Sequence, residues 1–126
     1  GGGHSKIEFC DLLTSDQKII HIKKYAGSSV LSHLFFQGIV SGELFVADPE
    51  FRKNLNKKLS KQWKLKKPEN KPEANKYEII YGIISHVKND RPQLPFFSKV
   101  SFKNAKRRLE AFGYSVKLKT ITSVRA

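Results

Sequence analysis

Asp11, followed ten residues later by His21-x-Lys23, brings an acid, an imidazole and an ammonium into one short stretch of chain. A carboxylate can hold a divalent cation, and a nearby ammonium can steady the negative charge that grows on a phosphate under attack. That chemistry needs the groups on one face, so it depends on the elements that carry them. IEFCDLL and KIIHIKKY have the length and β-branched composition of strands, and the TSDQ between them is hydrogen-bonding turn chemistry. A hairpin is the expectation. Alternation puts His21, Lys23 and Tyr25 on one side of the second strand and Ile20, Ile22 and Lys24 on the other. If the turn pairs Thr14 with Lys18, Asp11 falls opposite His21 and Phe9 opposite Lys23. A slip of one residue brings Glu8 and Cys10 to that face instead. The first register gives Asp11 partners and is preferred. An ordinary salt bridge is the competing account of these residues.

The chain has 126 residues with 24 Lys+Arg against 11 Asp+Glu, a net charge of +13. Such a length suits one domain with a real core. Such a charge calls for a polyanionic partner, with DNA expected before RNA, or less sharply for a basic soluble surface. No apolar stretch is expected to reach the ~20 residues of a membrane span, and no secretory signal pattern opens the chain. A single Cys10 fits a reducing compartment, so a cytoplasmic protein without a membrane partner is expected. Residues 1–5 read as a tag or flexible lead-in, and 6–126 as a single domain, expected to be an excised part of a longer parent chain.

Gly27-Ser28-Ser29 reads as a turn and helix cap, and Val30, Leu31, Leu34 and Phe35 recur at helical spacing behind it. Ser29, His33 and Gln37 form a polar stripe beside that apolar face. The stripe either faces solvent or lines a groove near His21 and Lys23, where the helix start with Ser28 and Ser29 could meet a phosphate. Gly38 and Gly42 allow close approach, and Glu43 reads as a solvated helix acid that could supply a displaced carboxylate. Asp48-Pro49 starts a second helix, with Phe51, Leu55 and Leu59 as its apolar stripe and Trp63 closing the core behind it. Residues 64–76 are a mobile basic loop, and 77–85 a strand apolar on both faces, with Gly82 marking a close approach or a bulge. His86 ends that strand. Ser101 is read as the cap of a helix closed by Gly113, whose Lys103, Lys106, Arg107 and Arg108 form the densest basic patch. A lysine-bearing edge strand follows. The expected order is β-β-α-α-β-α-β around a four-stranded mixed sheet, an α/β fold.

That order and the hairpin residues resemble the restriction-endonuclease-like nuclease core, whose signature is an Asp on one strand and (Asp/Glu/Gln)-x-Lys on the next. Modified-DNA restriction endonucleases, with Asp, Gln-x-Lys-Arg-Tyr and a helix bearing Gln, are the closest flavour. Here those positions read Asp11, His21-Ile22-Lys23-Lys24-Tyr25 and Gln37, with His21 departing from the pattern. Across nearly its whole length the chain also resembles the carboxy-terminal region of a sporadically distributed bacterial family of unknown function, which would suit defence or mobile elements. The nuclease resemblance implies a metal-dependent phosphodiesterase. Asp11 and His21 would hold magnesium, or manganese, and Lys23 would stabilise the attacked phosphate. Ser28, Ser29, His33 and Gln37 would line the cleft, and Lys103, Lys106, Arg107 and Arg108 would bind nucleic acid. The alternatives are a catalytically silent nucleic-acid-binding module of the same fold and an assembly domain of a larger protein. No nucleotide loop or nucleophile elbow supports a kinase, hydrolase or dehydrogenase.

Overall fold

The computed structural model describes residues 10–61, 64–85 and 94–122. Trp63 and His86 lie outside them, as do His4, Glu8 and Phe9. Strands β1 (Leu12–Leu13) and β2 (Lys18–Lys24) are followed by helices α1 (Ser28–Ala47) and α2 (Pro49–Lys58). Strand β3 (Glu78–Ser85), helix α3 (Phe96–Ala111) and strand β4 (Ser115–Thr122) complete the order read from the sequence. The result is a mixed α/β fold on a four-stranded sheet in the order β1-β2-β3-β4.

The hairpin turn sets the register. Thr14 donates its N–H to Lys18 O at 3.0 Å and accepts from Lys18 N on its hydroxyl at 3.0 Å, while Gln17 takes the left-handed conformation at φ 63°. A three-residue loop closed by a left-handed residue is a common hairpin solution. Leu12 then pairs antiparallel with Ile20 and Leu13 with Ile19. Asp11 precedes the paired residues and sends its N–H to Ile20 O at 2.9 Å, outside the ladder. Strands β2, β3 and β4 run parallel, with His21 beside Tyr81 and Tyr81 beside Leu118. Parallel neighbours need crossovers, and α1 and α3 supply them.

Both helices pack on the face that carries Ile19, Ile79, Tyr81, Ile83 and Val116, where Leu31, Leu34, Phe35, Ala105 and Leu109 complete the core. They lie side by side, joined by Ser32 to Ser101 between hydroxyl oxygens at 3.3 Å and by Arg108 to Glu43 at 2.6 Å. Ser101 therefore sits inside α3, which begins five residues before the expected cap because Ser98 and Phe102 already turn inward. At its far end Gly113, at φ 110°, lets its own N–H reach Glu110 O and the Tyr114 N–H reach Leu109 O, the expected helix stop. Gly82 is in register with Ile22 and Lys119, so no bulge forms there.

Contrary to expectation, α1 is by length and composition apolar enough to cross a membrane, with 20 residues and a mean hydropathy of 1.4. Half of that window is buried inside the protein, and two tyrosines hold it there. The Tyr81 hydroxyl donates to Phe35 O at 3.0 Å, and the Tyr114 hydroxyl to Gly42 O at 2.7 Å. Gly38 makes the first contact possible, since a Cβ there would lie 2.0 Å from Tyr81 Oη. Arg52 of α2 is buried and spends its guanidinium on main-chain carbonyls. It donates to Phe45 O and Val46 O at the end of α1 and to Pro68 O and Glu69 O in the following segment, at 2.7–3.4 Å. The segment read as a mobile loop is thus tied to α2, also through Asn56, which exchanges two bonds with the Leu65 main chain.

Two stability predictions follow from these contacts. Gly38→Ala must displace a fully buried tyrosine and is expected to cost about 1–3 kcal/mol in denaturant unfolding. Arg52→Met removes the donors of four carbonyls and is expected to cost about 3 kcal/mol or more. Unchanged midpoints would contradict the respective packing.

Candidate functional site

Extended sheet geometry puts alternate residues of β2 on the helix side, and the antiparallel partner strand adds its own. His21 and Lys23 therefore face the same way, Asp11 reaches them from just before β1 through its bond to the Ile22 N–H, and α1 brings Leu34 and Gln37 over them. These five residues, with Cys10 and Ile22, line a cleft of about 270 Å³. Four of the residues singled out from the sequence, Asp11, His21, Lys23 and Gln37, thus come from three elements to one place. Cys10, Ile22 and Leu34 were not foreseen as walls, and only their neighbours along the chain pointed to them.

Asp11 is exposed and leaves the regular ladder. Its N–H reaches Ile20 O at 2.9 Å, and its Oδ2 accepts the Ile22 N–H at 2.7 Å. One carboxylate oxygen thus closes the end of the hairpin, and among the described residues Oδ1 is left for another ligand. His21 is the opposite case, only 4% exposed, with its ring stacked on Tyr81 at a centroid distance of 5.6 Å. Burial pushes the imidazole down to about 4, and the Asp11 carboxylate opposes that shift. At neutral pH the ring is uncharged, and its Nε2 is buried without a hydrogen-bond partner among the described residues. His21 and Asp11 are therefore not an ordinary surface ion pair.

Among the described residues, Asp11 is the one acid and Lys23 the one cation that line the cleft. Among the described residues, no group of three or more His, Cys, Asp and Glu could enclose a metal ion. The donors present fit a hard cation that keeps most of its waters and arrives with phosphate, a habit of magnesium that needs as little as one protein carboxylate. Asp11 suits that role through Oδ1. His21 suits it poorly, because its Nε2 is out of solvent contact.

The rest of the expected cleft is elsewhere. His33 and Ser29 are exposed and do not line the cleft, so of that stripe only Gln37 reaches it. Ser28 and Ser29 begin α1 rather than cap it. The cap position is Gly27 at φ 101°, and no side chain bonds the first turn. Glu43 is held by Arg108 and takes no part in the cleft. α1 stands between the cleft and α3, because it meets one through Leu34 and Gln37 and the other through Ser32 and Glu43. The basic helix is therefore a separate surface. On it Lys106 pairs with Glu110 at 3.3 Å, while Lys103 and Arg107 are exposed.

Residues 1–122 match the model described as Family of unknown function (DUF6119). No curated protein and no solved structure matches the chain.

The buried histidine makes stability pH-dependent. Its folded value, about 4, lies below the ordinary 6.5, so the unfolded chain binds the extra proton as pH falls between these values. The His21 contribution is fully present above about 6.5 and is lost progressively toward 4. Between pH 7 and pH 5 the parent should lose about 2 kcal/mol more stability than His21→Phe, which keeps a ring against Tyr81. Denaturant unfolding of both proteins at the two pH values measures the difference, and parallel losses would contradict the burial.

Proposed function

The chain belongs to the DUF6119 family, and on that premise we propose that it is a nuclease-like domain that hydrolyses nucleic-acid phosphodiesters in the Asp11–His21–Lys23–Gln37 cleft. The observation that carries this reading is the shared cleft. Asp11, just before the first strand, takes the Ile22 N–H on its carboxylate and so lines the cleft together with His21 and Lys23, and a helix glutamine forms another wall. The restriction-endonuclease-like signature asks for that arrangement. The hairpin leading into parallel strands joined by helical crossovers supports the same core, and the net charge of +13 supports a polyanionic substrate.

Asp11 would hold magnesium or manganese together with the substrate phosphate. Bound there, the ion supplies Lewis acidity and charge neutralisation. Lys23 places an ammonium beside the attacked phosphate and offsets the charge that accumulates on its oxygens. Gln37 offers an amide to orient a phosphate oxygen or water from the opposite wall. His21 stays neutral and fills the floor of the cleft, which keeps water from the ring behind it. The defence or mobile-element role and the cytoplasmic setting belong to this reading.

A second reading, a silent nucleic-acid-binding module, is favoured by one specific observation. The position that should supply a further ligand is a buried histidine, so among the described residues the cleft has a single carboxylate.

Cleavage of single- and double-stranded DNA and RNA in magnesium or manganese decides between them. Asp11→Asn keeps an acceptor for the Ile22 N–H while removing the charge, and should reduce cleavage roughly 100-fold or more with binding retained. Lys23→Ala should do likewise. Binding itself should weaken steeply between 50 and 200 mM salt. Binding by all three proteins without any cleavage selects the silent module, and cleavage by Asp11→Asn at the parent rate rejects the site.

A further inference from the structure

Phe96 and Phe97 open α3 and are 72% and 74% exposed. Their rings meet nearly edge to face, with centroids 5.6 Å apart. Adjacent phenylalanines standing in water make a contiguous apolar patch, which in a folded domain signals a binding surface. Helical spacing continues that patch along one stripe. Phe96, Val100, Lys103 and Arg107 lie on the side of α3 opposite the buried Ser98, Ala105 and Leu109, with Lys99 beside them. All five of these stripe and flanking residues are exposed.

The cations of α3 divide into two sets. Lys106 is engaged by Glu110 and Arg108 by Glu43. Lys99, Lys103 and Arg107 have no ion-pair partner among the described residues. The surface is therefore an aromatic step followed by a row of free positive charge, on the far side of α1 from the cleft. An apolar protein segment seated on the two rings would bring no counter-charge to that row, whereas a polyanion with flat apolar faces satisfies both parts. Unpaired bases have such faces and duplex bases do not. Stacking on aromatic side chains with phosphates on a basic track is how strands are held without sequence preference.

We propose that this face of α3 is a platform for single-stranded nucleic acid, with bases stacked on Phe96 and Phe97 and phosphates held by Lys99, Lys103 and Arg107. The proposal rests on the nucleic-acid reading given above and adds to it the strand class and a second point of attachment outside the cleft. It also accounts for two exposed rings that neither the core nor the cleft uses.

The test is binding of an oligonucleotide carrying 2-aminopurine, single-stranded and as a duplex, at low salt. The proteins compared are the parent, Phe96→Leu/Phe97→Leu and Phe96→Tyr/Phe97→Tyr. All substituted rings are exposed, and circular dichroism checks that each variant is folded. The parent should prefer the single strand and change the 2-aminopurine fluorescence through stacking. The leucine pair should weaken single-strand binding roughly ten-fold or more and abolish the fluorescence change. The tyrosine pair should retain both. Equal affinity of parent and leucine pair, or no strand preference in the parent, overturns the platform and leaves the cleft proposal standing. A parent that binds no nucleic acid at low salt overturns both. Self-association of the parent that the leucine pair abolishes assigns the rings to a protein contact and also overturns the platform.

Discussion

Tyr81 holds the helix layer at its working height over the sheet. The residue is fully buried in the centre of β3, and its hydroxyl has one destination, the carbonyl of Phe35 in α1. A buried phenol left unpaired costs on the order of 1–3 kcal/mol, so the helix must come close enough to accept the bond. Gly38 permits that approach by having no side chain where the phenol lies. About two helical turns beyond Phe35, Tyr114 repeats the device on the carbonyl of Gly42. Two hydroxyls on two neighbouring strand regions therefore fix both the depth and the rotation of α1. Burial pushes both phenols well above their usual range, so neither hydroxyl ionises and both remain donors.

Everything in the cleft inherits that placement. Because Tyr81 is beside His21 in the parallel register, its ring is also the surface on which the imidazole stacks. The rotation of α1 that satisfies Phe35 O turns Leu34 and Gln37 toward β2 and leaves His33 in solvent. Asp11 is placed by a different bond, since its carboxylate takes the Ile22 N–H that no further strand residue pairs in the regular way. One wall of the cleft is thus set by the packed core and the other by the hairpin end. A neutral imidazole lies between them because desolvation there outweighs the attraction of the nearby carboxylate.

The hairpin and its register were legible because the turn residues have few ways to close. Thr14 supplies both a main-chain and a hydroxyl partner for Lys18, and the two-residue period then assigns every side chain to a face. The second helix was legible for a similar local reason, since the Asp48 side chain accepts the Glu50 N–H and Pro49 lacks the donor that would be orphaned. What escaped sequence reasoning depends on distant partners. Ser101 has the chemistry of a cap, but its hydroxyl meets Ser32 of another helix, 69 positions away along the chain. Arg52 reads as one more surface cation in a basic helix, yet four carbonyls from two segments surround it. The stripe of Ser29, His33 and Gln37 was sound as a stripe. Which of its members faces the cleft is decided by the rotation that the tyrosines impose.

On the nuclease reading proposed above, the distribution of charge bears on how a substrate would be assembled at the cleft. A protein with a net charge of +13 repels a free divalent cation at long range, and the described residues of the cleft oppose this with one carboxylate, one of whose oxygens already serves the backbone. Affinity for the ion must then come largely from the phosphate that arrives with it, as is usual for magnesium in phosphoryl chemistry. The same positive field that discourages the bare ion attracts the polyanion. Ion and nucleic acid would therefore bind as one unit, each lowering the cost of the other, with Lys23 and the Asp11 carboxylate on opposite sides of the shared charge. In that arrangement a neutral His21 is the more compatible occupant of the floor. A protonated ring would add a second fixed cation to a site that already has Lys23, and a further carboxylate would draw a metal in without substrate.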